Sequence, residues 1–146
     1  MNRMRRTGMW LLVIGLLIAG GLVYTLSSWQ GASGTKPPLP TVRVGSVTAE
    51  VKQSTYCWSN GSEAVCEDHA LPEADDLQLV TVEPGAAINV EFHETPKRET
   101  FHRIIDGELV ASEKVVPTEP GTYVFETGGE WQHGDSRYVF GVIVPE

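Results

Sequence analysis

The stretch that decides the fold is "YVFETGGEWQHGDSRYVFGVIV", Tyr123 to Val144. Apolar residues recur at every second position on both sides of a polar, glycine-bearing centre, which is the period of half-buried strands. Gly134-Asp135 suits a two-residue type II′ turn, which wants glycine first. Closing the hairpin there sets Trp131 opposite Tyr138, Gly129 opposite Phe140, Thr127 opposite Val142 and Phe125 opposite Val144. All eight then share one face, and Gly129 leaves room for the Phe140 ring. The other face receives Glu126, Gly128, Glu130 and Gln132 against Arg137, Val139, Gly141 and Ile143. An aromatic pair such as Trp131 and Tyr138 resembles a ligand platform, but cross-strand packing is the commoner role and the expected one.

The same period runs upstream. Ile88, Val90 and Phe92 alternate with Asn89, Glu91 and His93, and "LQLVTVE" before them ends at the turn pair Pro84-Gly85. "FHRII", the turn Asp106-Gly107 and a weaker strand from Leu109 to Val116 follow, while "TVRV" and "SVTAEV" open the domain. Many short strands with regular turn signals predict a β-sandwich or small barrel.

The two cysteines lie in "YCWSNGSEAVCED", Tyr56 to Asp68. A turn at Asn60-Gly61 would set Cys57 opposite Ala64. Moving it to Gly61-Ser62, acceptable for type II′, sets Cys57 opposite Cys66 and Trp58 opposite Val65. A zinc site needs more ligands at fixed spacing, and a redox pair usually wants Cys-x-x-Cys at a helix start. A structural disulfide is the expectation. Its spacing is too short for the inter-sheet bridge of antibody domains.

The N-terminal residues carry an address. Arg3, Arg5 and Arg6 precede an uncharged run that lasts to Lys36. Within it "MWLLVIGLLIAGGLVYTL", Met9 to Leu26, has the length and hydropathy of a membrane span, with Trp10, Tyr24 and Trp29 near its ends. The basic residues predict a cytoplasmic N-terminus. The expected organisation is a short basic tail over 1–8, a signal anchor over 9–29, a Gly/Ser/Pro linker over 30–40 and an extracytoplasmic domain over 41–146. Signal cleavage near Ser33 and Gly34, releasing a secreted domain, is the alternative. Outside the three arginines, eight basic residues face all nineteen acidic ones, so the outer part carries about −11. Such a charge argues against nucleic acid as a partner.

"YCW" followed by a second cysteine and an acidic residue, "PGAAINVEF", "PGTYVF" and "EWQHGDSRYVFGVIV" resemble extracytoplasmic proteins of Gram-positive bacteria, small membrane-anchored or lipoprotein domains of immunoglobulin-like type with no known function. The resemblance spans Tyr56 to Val144 and implies an immunoglobulin-like sandwich of about 7–9 short antiparallel strands. The chain departs from the lipoprotein members in lacking an anchoring cysteine directly after its apolar run.

Chemistry-bearing residues are sparse. Pairing the strand of Phe92 with that of Phe101 would set Glu91 opposite His102 with His93 diagonal, a weak candidate metal site. Glu67, Asp68, Glu73, Asp75 and Asp76 fit no calcium loop and read as a solvated run. No nucleophile elbow and no phosphate cradle is present. The expected function is therefore non-catalytic: a tethered domain, without cofactor, that binds or supports an extracytoplasmic protein or envelope component. A metal-binding or redox accessory using Glu91, His93 and His102, and a small hydrolase, are the alternatives.

Overall fold

The computed structural model describes residues Gly34–Glu146. The expected anchor over 9–29 and the start of the expected linker lie outside the described residues. Ten strands form an all-β sandwich: β1 (Thr41–Val44), β2 (Val47–Ala49), β3 (Lys52–Ser59), β4 (Ala64–Glu67), β5 (Leu79–Thr81), β6 (Ile88–Glu91), β7 (Arg98–Ile105), β8 (Glu108–Ala111), β9 (Gly121–Trp131) and β10 (Gly134–Val144). A 3-10 turn, Ala74–Asp76, lies between β4 and β5.

One sheet has three strands in the order β2-β1-β6; the other runs β4-β3-β10-β9-β7-β8. Strand β10 shares one edge between two partners. Its first half pairs antiparallel with β3, and its second half, Gly141 to Ile143, pairs with β5 in parallel. The "LQLVTVE" run is thus a short strand beside β10, and the exception in an otherwise antiparallel structure.

Alternation sorts the side chains as the hairpin pattern predicts. Tyr123, Phe125, Phe140, Val142 and Val144 from the large sheet bury against Val42, Val44, Ala49 and Ile88 from the small one. Phe125 and Phe140 are stacked with ring centroids 5.4 Å apart. A second cluster, Tyr56, Trp58, Trp131 and Tyr138, fills the other end of the same face and packs on Phe92. Trp131 and Tyr138 are therefore packing residues, each nearly sealed from solvent.

The turn of this hairpin differs from the expectation. Gln132 and His133 form the two-residue loop, Trp131 pairs with Gly134, and Phe140 pairs with Phe125. Asp135 accordingly pairs with Glu130, Tyr138 with Thr127, and Gly129 with Ser136. Glycine acts after the turn instead of at its first central position. Gly134 has φ +139°, and a Cβ there would run into the Cys57 carbonyl of β3. Glycine is favoured at that last position of a type I turn. Nor does Gly129 make room for Phe140; it passes beneath Pro96, 2.7 Å from where a Cβ would stand.

The linker expectation also changes at its far end. Pro37 and Pro40 are buried on the domain, and the Tyr138 hydroxyl donates to the Pro38 carbonyl at 2.9 Å. This strap belongs to the folded unit.

Candidate functional site

The β3–β4 hairpin carries the disulfide. Cys57 pairs with Cys66, Trp58 with Val65 and Ser59 with Ala64. Asn60 N–H donates to Glu63 O across Gly61-Ser62, and Gly61 has φ +95°, as the first central residue of a type II′ turn requires. Asn60 Oδ1 accepts the N–H groups of both Ser62 and Glu63, which holds the turn closed. Both cysteines are exposed, at the outer edge of the large sheet.

Beside this hairpin, Glu67 accepts hydrogen bonds from Tyr56 and His69, which hold its carboxyl below the usual glutamate range; Lys36 adds a weaker attraction. Burial, then the bond to Glu67, push the Tyr56 phenol upward. Burial likewise raises Tyr138, against a smaller opposing bond with Ser136. Thr55 Oγ1 bonds the Asp68 carboxylate and receives His69 N–H, so the β4–β5 connection is pinned back on β3. The acidic residues Glu67 and Asp68 thereby serve structure.

The most concentrated polar chemistry lies on the outer face of the large sheet. Glu126 of β9 is 1% exposed. Its Oε1 receives Arg137 Nη1 from β10 at 2.8 Å and lies 3.5 Å from His102 Nδ1 on β7. That Nδ1 is buried and makes no hydrogen bond among the described residues. Leu71 and Pro72 from the β4–β5 connection line one groove with Val139, the β10 partner of Glu126, and a second groove with Val124 and Ile104. Arg137 supplies the charge that compensates the buried Glu126 carboxylate. Next to the cluster a groove of about 300 Å³ runs past Thr100, Gly129, Glu130, Asp135 and Arg137. Its charged lining is the Arg137 guanidinium and the carboxylates of Glu130 and Asp135.

The candidate metal site is dispersed. Strand β6, with Glu91, pairs with β1 in the small sheet, whereas His102 on β7 faces Glu126 in the large one. His93 stands exposed after β6. Alternation correctly orients these residues yet says nothing of which sheet receives them. His69, His102 and His133 each sit beside a different glutamate, Glu67, Glu126 and Glu94. Among the described residues no group of three or more His, Cys, Asp or Glu side chains is placed to hold a metal ion. The Glu126–Arg137 pair was visible in sequence as two residues on the polar face; its burial was not, because alternation assigns a side chain to a face without saying whether that face is covered.

No protein-family model, no curated protein and no solved structure matches this chain.

Proposed function

We propose that this chain is a membrane-tethered, extracytoplasmic domain of immunoglobulin-like type that binds or supports another component at the outer membrane surface, without catalysis. The observation that carries the reading is the Cys57–Cys66 bond on an exposed hairpin. A solvent-open disulfide persists where thiols are oxidised and is rare where glutathione and thioredoxin act. The basic N-terminus followed by the apolar run supports the same side of a membrane. Two sheets packed face to face over one core support the immunoglobulin-like comparison. The dispersal of Glu91, His93 and His102 takes support from a metal accessory, and a binding role is what the surface chemistry leaves in front.

The address is tested on intact cells with a membrane-impermeant protease and an impermeant thiol reagent. The domain is expected to be digested from outside, and its two cysteines to become labelled only after denaturation and reduction. A protected domain with two free thiols would remove the proposal.

A further inference from the structure

Strand β8 ends the large sheet, and among the described residues nothing pairs with its outer side. Natural edges are usually blunted by charge, proline or a bulge. Two other edges follow that rule: β4 carries the disulfide and Glu67, and β6 turns Asn89 and Glu91 outward. Strand β8 does not. Leu109 is 38% and Val110 44% exposed, beside Ile105 at 37%. These are three of the five large apolar side chains exposed among the described residues.

Backbone direction defines what this edge can accept. Ser112 N–H donates to Phe101 O, and His102 pairs with Ala111. Antiparallel ladders alternate, so Val110 and Ser112 point their backbone groups at β7 while Leu109 and Ala111 point theirs outward. A two-fold axis that joins two such edges in one sheet must stand perpendicular to it and keep each side chain on its own face. Each residue then faces one of the same parity, which leaves two centred registers. With Leu109 on the axis, Glu108 of each copy would oppose Val110 of the other. With Val110 on the axis, Leu109 opposes Ala111 and Glu108 opposes Ser112, and no charge meets a charge or an apolar side chain. The second register also joins both outward-facing pairs by backbone hydrogen bonds.

We infer that β8 is a self-association edge: two copies of this chain pair β8 to β8, antiparallel, with Val110 on the two-fold axis. A four-residue strand buries less than a standard interface of about 1,600 Å². Pairing therefore needs a high local concentration, which the proposed membrane tether supplies; on that point alone the inference rests on the proposed address.

The test uses the full chain in lipid vesicles, with single cysteines introduced and a copper–phenanthroline oxidant. Val110→Cys falls on a non-hydrogen-bonded pair with Cα atoms about 4.5 Å apart, within disulfide reach. It should crosslink at least about tenfold faster than Leu109→Cys or a control Thr118→Cys, whose symmetry mates lie beyond bridging distance. Adding Leu109→Pro to Val110→Cys should slow crosslinking about tenfold, because it removes only outward-facing donors and leaves the β7 ladder intact. Equal rates at 109 and 110, no excess over Thr118→Cys, or crosslinking unaffected by Leu109→Pro would each overturn the inference. So would a chain that stays monomeric in vesicles while β8 takes up an added extended peptide. Vesicle association and domain orientation are read separately by the impermeant protease, so a failure of the address is distinguishable from a failure of the pairing.

Discussion

Glu126 and Arg137 form an ion pair whose two ends differ in their access to water. The glutamate side chain is 1% exposed and the arginine side chain 39%. Removing the glutamate lets the guanidinium turn to solvent. Removing the arginine strands a buried carboxylate, for which losses of about 3–5 kcal/mol are usual. Arg137→Met should therefore destabilise the domain more than Glu126→Met, by at least about 1 kcal/mol in urea unfolding. Equal losses would mean that Glu126 is solvated through local opening. A second expectation at this scale concerns Tyr138 and Tyr56, both raised from their ordinary value of 10.0. A raised phenol contributes stability that is complete below its unfolded pKa and is lost as pH rises through the folded one. Unfolding midpoints should thus hold steady up to about pH 10 and fall above it. Tyr138→Phe should flatten that fall while costing about 1 kcal/mol at neutral pH for the lost bond to Pro38 O. A titration curve identical to the parent would separate Tyr138 from the alkaline transition.

At the scale of the element, the cysteine hairpin and the C-terminal hairpin make an instructive pair. In the first, Cys57 and Cys66 impose a constraint that only one turn position satisfies, and the structure has that turn. In the second, polar residues around the centre admit more than one closure. Shifting the loop by two residues, from Gly134-Asp135 to Gln132-His133, moves every partner by four, so inward residues stay inward. Faces were legible because parity survives such a slip; partners were not. The decisive contact, Gly134 against the Cys57 carbonyl, is long-range and leaves no local mark. The same reason hid the sheet membership of β6 and β7, and with it the separation of Glu91 from His102. Two outcomes follow for these elements. Cys57→Ala should cost about 2–5 kcal/mol, the range seen on removing a staple from a small secreted domain, checked by thermal unfolding with and without reductant. Gly134→Ala should weaken the β3–β10 junction through both its positive φ and its clash, whereas Gly107→Ala, whose Cβ would meet nothing, should show only the conformational penalty. Comparable losses at the two glycines would argue against the close approach.

At the scale of the molecule, proline composition reads alike for a free spacer and for a docked strap, because both favour the same extended backbone. Burial separates them. Pro37 and Pro40 are buried, Pro38 accepts the Tyr138 hydroxyl, and Lys36 reaches the field of Glu67. A chain shortened to Lys36–Glu146 should consequently fold cooperatively as a β-rich, soluble unit, whereas one beginning at Thr41 should lose stability by uncovering the Tyr56–Tyr138 cluster. Equal urea midpoints for the two would show the strap to be dispensable. The shorter soluble form also tests what the apolar N-terminal run contributes. If the domain acts beside a membrane, release forfeits the local concentration that tethering provides. The Lys36–Glu146 form, expressed with a cleavable export signal, should then fold normally yet restore a deletion phenotype poorly at native abundance. Replacing Met9–Leu26 by an unrelated signal anchor should restore it, since position alone is supplied. Full rescue by the untethered form would favour a diffusible role. Failure of the exchanged anchor would point instead to a helix-specific contact, with Gly15 and Ala19, four residues apart, as the small-residue pair to alter first.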